Sequence, residues 1–273
     1  MKKYVSLFSA LLIFGFAAVS LADLRIEGDV SQSGLLHGHI DAGERVYLGE
    51  RELWTTPDGN FICGFGRDAV PRQVLTLVDA RGQKYRYEVT LQQRQYDIQK
   101  IDGISHRMMN PSKEDLARIH HEAELVMTAR KTASRRLDFQ ESFIWPVTGR
   151  ISGIYGSQRI FNGEPRRPHF GIDIAAPKGT TVRAPAGGVV TLAHPGMFFS
   201  GKTMIIDHGY GLSSSFLHLS KILVKVGDAV VQGQPIAEVG ATGRVTGPHL
   251  DWRINWFEQR LDPALFVPPM PKS

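Results

Sequence analysis

Three short pieces in the C-terminal half constrain this chain more than anything else in it. They read Pro168-His169-Phe170-Gly171-Ile172-Asp173, Phe216-Leu217-His218-Leu219 and Gly247-Pro248-His249-Leu250-Asp251, in a Gly- and Val-rich, strand-like background. In an extended strand, residues two and four apart share a face. His169 and Asp173 can therefore point the same way, with Gly171 between them adding no side chain, and His249 and Asp251 can do the same. His218 adds a third imidazole. Three imidazoles and two carboxylates offered by separate strands are the donor chemistry of a hydrolytic zinc site: three ligands, an open position for water and bases around it.

The start of the chain bears on where it works. Lys2 and Lys3 precede an apolar stretch from Leu7 to Val19, and Ser20-Leu21-Ala22 puts small residues at the two positions a signal peptidase reads. The apolar run is short for a membrane span, which needs about 20 residues. Residues 1–22 are therefore expected to be a cleaved signal peptide, leaving an exported protein of the periplasm or cell envelope with no stable membrane span. Those residues hold two lysines and no acid, so the formal charge of +5 falls to +3 without them. Such a mild excess suits an anionic envelope, and scattered cations with no reader motif give no reason to expect nucleic acid. Cys63 is the single cysteine, so no internal disulfide can form, and its setting in Phe61-Ile62-Cys63-Gly64-Phe65 predicts a small buried apolar residue.

Between the ends the pattern changes twice. Residues 23–100 read as a β-sandwich-like domain. Tyr85, Tyr87, Val89 and Leu91 alternate with polar residues, and Pro57-Asp58-Gly59-Asn60 and Ala80-Arg81-Gly82-Gln83 mark turns. His37 and His39 share a strand face there, with no third ligand in view. Residues 101–140 read as a helical connector. Ser112 and Asp115 form a capping signal, the helix is expected from 112 to about 136, and Leu116, Ile119, Ala123 and Val126 make one apolar stripe. His121-Glu122 does not open a zincin H-E-x-x-H motif, because Leu125 stands where the second His is required. From 141 to 265 the strand pattern returns. Residues 179–190 and 227–239 are loosely alike, each a Val-rich hairpin of the kind found in barrel-sandwich folds. Carrier domains use similar hairpins, but they present a modifiable Lys at a tip occupied here by Gln232-Gly233-Gln234. The expected fold is mainly β throughout, with one connecting helix.

Over about Trp145 to Trp256 the chain resembles the lysostaphin-like (LytM-type) zinc metallopeptidases, a family of murein endopeptidases. The shared pieces are H-x-x-x-D at His169 and Asp173, His218-Leu219, Gly247-Pro248-His249, and the stretches 179–185, Ile206-Asp207-His208-Gly209 and 226–233. One position departs from the family pattern: Asp251 stands where the second His of H-x-H is expected. The resemblance implies that His169 and Asp173 are metal ligands, with Asp251 in the third ligand position. It also implies that His218 and His249 handle protons, a role that suits imidazoles near their natural pKa. Phe216 takes a position where the family commonly has Tyr. The implied cofactor is one zinc ion, and a His/Asp/Asp set, richer in charge, also suits Mn or Fe.

The reading that follows is an exported, metal-dependent endopeptidase acting on the peptides of peptidoglycan. The loop of residues 155–168 leads into the first ligand, and its Arg159 is expected to pair with a substrate carboxylate. The alternative reading is a catalytically silent relative that binds murein or activates another cell-wall hydrolase. His194 and His208 are expected to serve the backbone rather than the chemistry.

Overall fold

The structure, a computed structural model, describes residues 24–271. The expected signal peptide lies outside the described residues. Among the described residues, seven strands between Arg25 and Thr90 form two antiparallel sheets. One joins Arg25–Gly28, Leu35–His39 and Asn60–Gly64; the other orders Arg51–Glu52, Arg45–Leu48, Arg72–Val78 and Lys84–Thr90. Leu36 and Phe61 from the first sheet and Leu75 and Leu77 from the second share one buried core, as a sandwich requires. The turn at 57–60 closes through Gly59 N–H donating to Thr56 O at 2.9 Å. Cys63 is fully buried, and burial pushes its thiol up to about 12, so it behaves as an apolar filler.

The helix runs Lys113–Lys131, with Ser112 Oγ capping the Asp115 amide at 3.1 Å. It stops about five residues short of the expected end. Beyond it, Ser134 N–H donates to Asp207 and Ser134 O accepts from Tyr210, drawing the chain into an extended path along the C-terminal half. Its packing also differs from the stripe in the sequence. The buried positions are Asp115, Glu122 and Ala129, one face of the helix at seven-residue intervals. Polar contacts fix that face: Arg107 grips Asp115, while Glu122 accepts from Arg118 and from Phe198 N–H. Leu116, Ile119, Ala123 and Val126 are left partly or largely exposed.

The C-terminal half is built on an eight-stranded sheet. Its strands are β1 (Arg150–Gly153), β2 (Ile172–Ala175), β3 (Gly188–Met197), β4 (Gly201–Gly209), β5 (Leu212–Leu219), β6 (Ala229–Val230), β7 (His249–Trp256) and β8 (Gln259–Leu261). They are ordered β6-β3-β4-β5-β7-β2-β1, with β8 on β7. A smaller sheet of Thr181–Arg183, Pro235–Glu238 and Lys221–Ile222 packs beside it. The two loosely similar hairpin segments pair with each other, Val182 with Ala237 and Val189 with Ala229. This mutual embrace is the barrel-sandwich element expected from the sequence. Ile174, Ile206, Phe216 and Trp252 are fully buried on the core face of the large sheet, and Phe216 lies directly opposite Trp252. Phe216 is thus a core residue that turns away from the histidines singled out in the sequence. The two halves are also joined edge to edge: Ile98–Ile101 runs parallel to Gln158–Phe161, next to the loop that leads to His169.

Candidate metal centre

The site grows from the register of three adjacent strands. β2 and β7 are antiparallel neighbours with Asp173 opposite Asp251, and β5 lies on the other side of β7 with Leu217 opposite Asp251. His169 is not on a strand, as its spacing to Asp173 had suggested. It precedes β2 and is held by its backbone, its N–H donating to Ser157 O at 2.9 Å and its O accepting from Gly156 N–H at 2.7 Å. His218, next to last in β5, adopts φ +63°, a left-handed conformation that costs a non-glycine residue on the order of 1 kcal/mol or more. Its N–H donates to Ser200 O and its Nδ1 to Thr242 O at 2.8 Å, which hold it there.

Two short approaches close the group. His169 Nε2 lies 3.1 Å from Asp173 Oδ1, and His249 Nε2 lies 3.8 Å from the same oxygen. His218 Nε2 stands 4.0 Å from Asp251 Oδ2, and the His218 and His249 rings are 4.9 Å apart between centroids. The Nδ1 of His249 donates to Gly247 O at 2.9 Å, as that of His218 does to Thr242 O. A carbonyl can only accept, so in the neutral form of either ring Nδ1 carries the hydrogen and Nε2 keeps its lone pair. Both lone pairs face the carboxylates.

Each carboxylate is held by its own arginine. Arg159 Nη2 donates to Asp173 Oδ2 at 2.6 Å, and Arg253 grips Asp251 with two bonds, Nε to Oδ1 at 2.9 Å and Nη2 to Oδ2 at 2.6 Å. Burial works to raise the pKa of Asp173, but His169 and then Arg159 bring it below its ordinary value. Burial works the same way on Asp251, and Arg253, then His169 and His218, hold it well below the usual carboxylate range. For His218 burial dominates and lowers the imidazole to about 4, so it is neutral at physiological pH. Two glycines make room. A Cβ on Gly171 would collide with Asp251 Oδ1 and sit 2.6 Å from Arg253 Cγ, and one on Gly153 would strike Asp173 Oδ2 and approach Arg159 Nη2.

His169, Asp173 and Asp251 form the group among the described residues whose potential ligand atoms all lie within 4.8 Å of one another. His169 Nε2 and Asp173 Oδ1 are buried 3.1 Å apart without a well-formed hydrogen bond to each other or to anything else, a costly state that an ion bound by both would relieve. The bonds from Arg253 leave a second lone pair on each oxygen of Asp251. This donor set fits a divalent metal: neutral nitrogen, carboxylate oxygen and buried atoms with nothing else to bind.

Residues 167–263 match the sequence profile described as Peptidase family M23. This segment is a peptidase family M23 domain. All six residues of the site apart from Arg159 fall within it. The chain is 37% identical over 178 residues to the peptidoglycan DD-endopeptidase ShyA of Vibrio cholerae, a match covering 62% of this chain and 39% of ShyA. It is 40% identical over 127 residues to the DD-carboxypeptidase/endopeptidase Mpg of Neisseria meningitidis, covering 46% of this chain and 29% of Mpg. It thus spans well under half the length of these relatives. Among solved structures, a protein assigned to peptidase M23 from Pseudomonas aeruginosa superposes with a TM-score of 0.67 at 29% identity, covering 88% of this chain and 96% of that one. That overlap takes in most of this chain, so the mainly β arrangement of the N-terminal half together with the M23 domain is a shared fold.

The structure brings together five residues singled out from the sequence: His169, Asp173, His218, His249 and Asp251. Arg159, expected to reach toward substrate, instead donates to Asp173. Arg253 was missed, although it follows Asp251 by two residues and so shares its face of β7. His208 is fully buried, with Nδ1 against Gly187 O at 2.6 Å and Nε2 against Ser214 Oγ at 2.9 Å; its role is in the backbone and core, as expected. His194 Nδ1 accepts from Gly196 N–H in its own loop.

Proposed function

We propose that this chain is an exported, zinc-dependent endopeptidase that cuts peptide bonds in peptidoglycan. The observation that carries the reading is the pair of buried atoms His169 Nε2 and Asp173 Oδ1, close together without a well-formed hydrogen bond and with Asp251 within ligand range. The name of ShyA supports peptidoglycan as the substrate and that of Mpg supports endopeptidase activity, and the leader-like residues 1–22 support export to the periplasm or cell envelope. A division into 23–100, 101–140 and 141–265 as sandwich, connector and peptidase domains belongs to the same proposal.

His169, Asp173 and Asp251 would hold the metal. When bound, zinc supplies Lewis-acid polarisation of the scissile carbonyl and acidifies a water. The residues around it do the rest. Arg253 cancels the charge of Asp251, so the carboxylate and its guanidinium together carry the formal charge of the neutral imidazole expected there. Arg159 does the same for Asp173 and fixes Oδ2, leaving Oδ1 free. The Nε2 atoms of His218 and His249 would take a proton from the attacking water and pass one to the leaving amine. Burial lowers His218 to about 4, below the natural imidazole range expected from the sequence, which keeps Nε2 unprotonated while making it a weaker base than a free imidazole. Buried walls keep competing water away from the group.

A second reading, a metal-free relative that binds murein or activates another hydrolase, draws on one observation: both oxygens of Asp251 are already bonded to Arg253. Metal analysis of the purified mature protein, followed by digestion of isolated murein, separates the two. One equivalent of zinc together with release of soluble peptides supports the enzyme, and absence of both supports the silent relative.

A further inference from the structure

A cavity of about 450 Å³ lies between the long helix and the sheet, next to the metal-site candidates. Arg253 belongs to both. Its guanidinium holds Asp251, and its side chain lines the cavity. Residues two apart in a strand lie roughly 6–7 Å from each other on one face, so the cavity begins one strand step beyond Asp251. The apolar stripe of the helix, which does not pack into the core, lines it with Ile119, Ala123 and Val126, and Met197, Phe199 and Phe257 face them.

The polar lining is cationic. Arg130, Lys131, Arg253 and Arg260 contribute to it, against two carboxylates that are already engaged. Glu122 is held by Arg118 and by Phe198 N–H, and Glu258 by Arg51. Among the described residues Arg130 and Arg260 have no carboxylate partner. Arg130 Nη2 donates to Ser215 Oγ at 3.2 Å, and Ser215 is the cross-strand partner of Arg253, so these two guanidinium groups are neighbours. Arg130 Nε is buried and bonded to nothing. The guanidinium of Arg260 stacks on Phe170, 4.6 Å from the ring centroid. Burial, with repulsion from neighbouring arginines, lowers Arg130 to about 9 and Arg260 to about 10. Like charges crowded this way, with unused donors and an open volume beside them, are what an anion relieves.

We propose that this cavity is a subsite for a peptide carboxylate, bound by Arg130 and Arg260, with the aliphatic part of the same residue against the helix stripe. The proposal rests on the peptidase reading and adds the feature of the substrate that the enzyme recognises. Guanidinium forks match carboxylate oxygens in pairs, and the apolar wall selects an amino-acid end over a small inorganic anion.

The test uses the full mature chain as purified, and calorimetry with a tetrapeptide whose amide bonds are reduced so that nothing is cut, bearing a free C-terminal carboxylate or a C-terminal amide. The acid should bind at least about tenfold more tightly than the amide. Arg130→Met and Arg260→Met should each reduce that ratio, and together abolish it. Arg130→Lys keeps the charge and should retain most of the ratio, and unchanged unfolding midpoints show that the variants are folded. Equal binding of acid and amide by the wild type, or a ratio that survives the double change, overturns the proposal. Inorganic phosphate binding as tightly as the acid peptide also overturns it, in favour of a plain anion site. The peptidase reading fails separately: a protein that discriminates acid from amide yet holds no zinc and digests no murein keeps the subsite and loses the enzyme.

Discussion

Asp173 and Asp251 are direct cross-strand partners, two buried carboxylates face to face on neighbouring strands. Like charges in that position repel, and the fold answers with one guanidinium for each, Arg159 and Arg253. Removing one partner of a buried ion pair costs about 3–5 kcal/mol. Arg253→Met should therefore destabilise the metal-free protein by that order in urea unfolding. Asp251→Asn in the same background should recover most of the loss. Full stability of Arg253→Met alone would mean that the pair is not a structural unit.

The ligand assignment makes a different prediction. Asp251→Ala should lose bound zinc, since two protein ligands rarely hold it firmly, and Asp251→His should keep or tighten it. His249→Ala should retain the metal while murein digestion drops by about 10²-fold or more, the scale of a lost acid–base group. Zinc content by atomic absorption and peptide release, measured on the same samples, check both.

Gly171 is where a single methyl group should matter. A Cβ there meets Asp251 Oδ1 and Arg253 Cγ, so Gly171→Ala must displace the carboxylate or the guanidinium. Overpacking of this kind costs about 1–3 kcal/mol, and zinc affinity should fall with it. An alanine variant with unchanged unfolding midpoint and unchanged zinc titration would contradict the crowding.

His208 should make the protein acid-sensitive. Its folded-state pKa, lowered by burial to about 4, lies below the ordinary value of 6.5. Above pH 6.5 both folded and unfolded forms are neutral there and nothing is lost. As pH falls from 6.5 toward 4 the unfolded chain takes up the proton first, so stability drops, by up to about 3 kcal/mol for this one group. His208→Gln, unable to titrate, should remove that share of the slope in unfolding experiments across the same range.

The parts of the site legible in the sequence were those set by spacing. H-x-x-x-D and H-x-D pair His169 with Asp173 and His249 with Asp251, whereas the meeting of the two pairs comes from the register of neighbouring strands; alternation in Lys84–Thr90 and the turn at 57–60 revealed the N-terminal sheets. The position of His218 was legible only through the family resemblance, because φ +63° is a backbone choice that no pattern of side chains encodes. Arg159 was visible as a functional candidate, but its partner was not, since Asp173 lies across a loop whose path depends on tertiary packing. The helix stripe was legible as a stripe, but the buried face of the helix is a different one, at Asp115, Glu122 and Ala129. Periodicity marks which residues lie together on a helix, and it does not say what they face.

The parallel pairing of Ile98–Ile101 with Gln158–Phe161 bears on how this architecture can be inherited. A linker between independent modules can be recombined freely, whereas a strand that completes its neighbour's edge cannot be exchanged without leaving that edge bare. Here the exposed edge would be the one beside the approach to His169. Exchanging the N-terminal half for one without a matching strand would leave Gln158–Phe161 unpaired on that side.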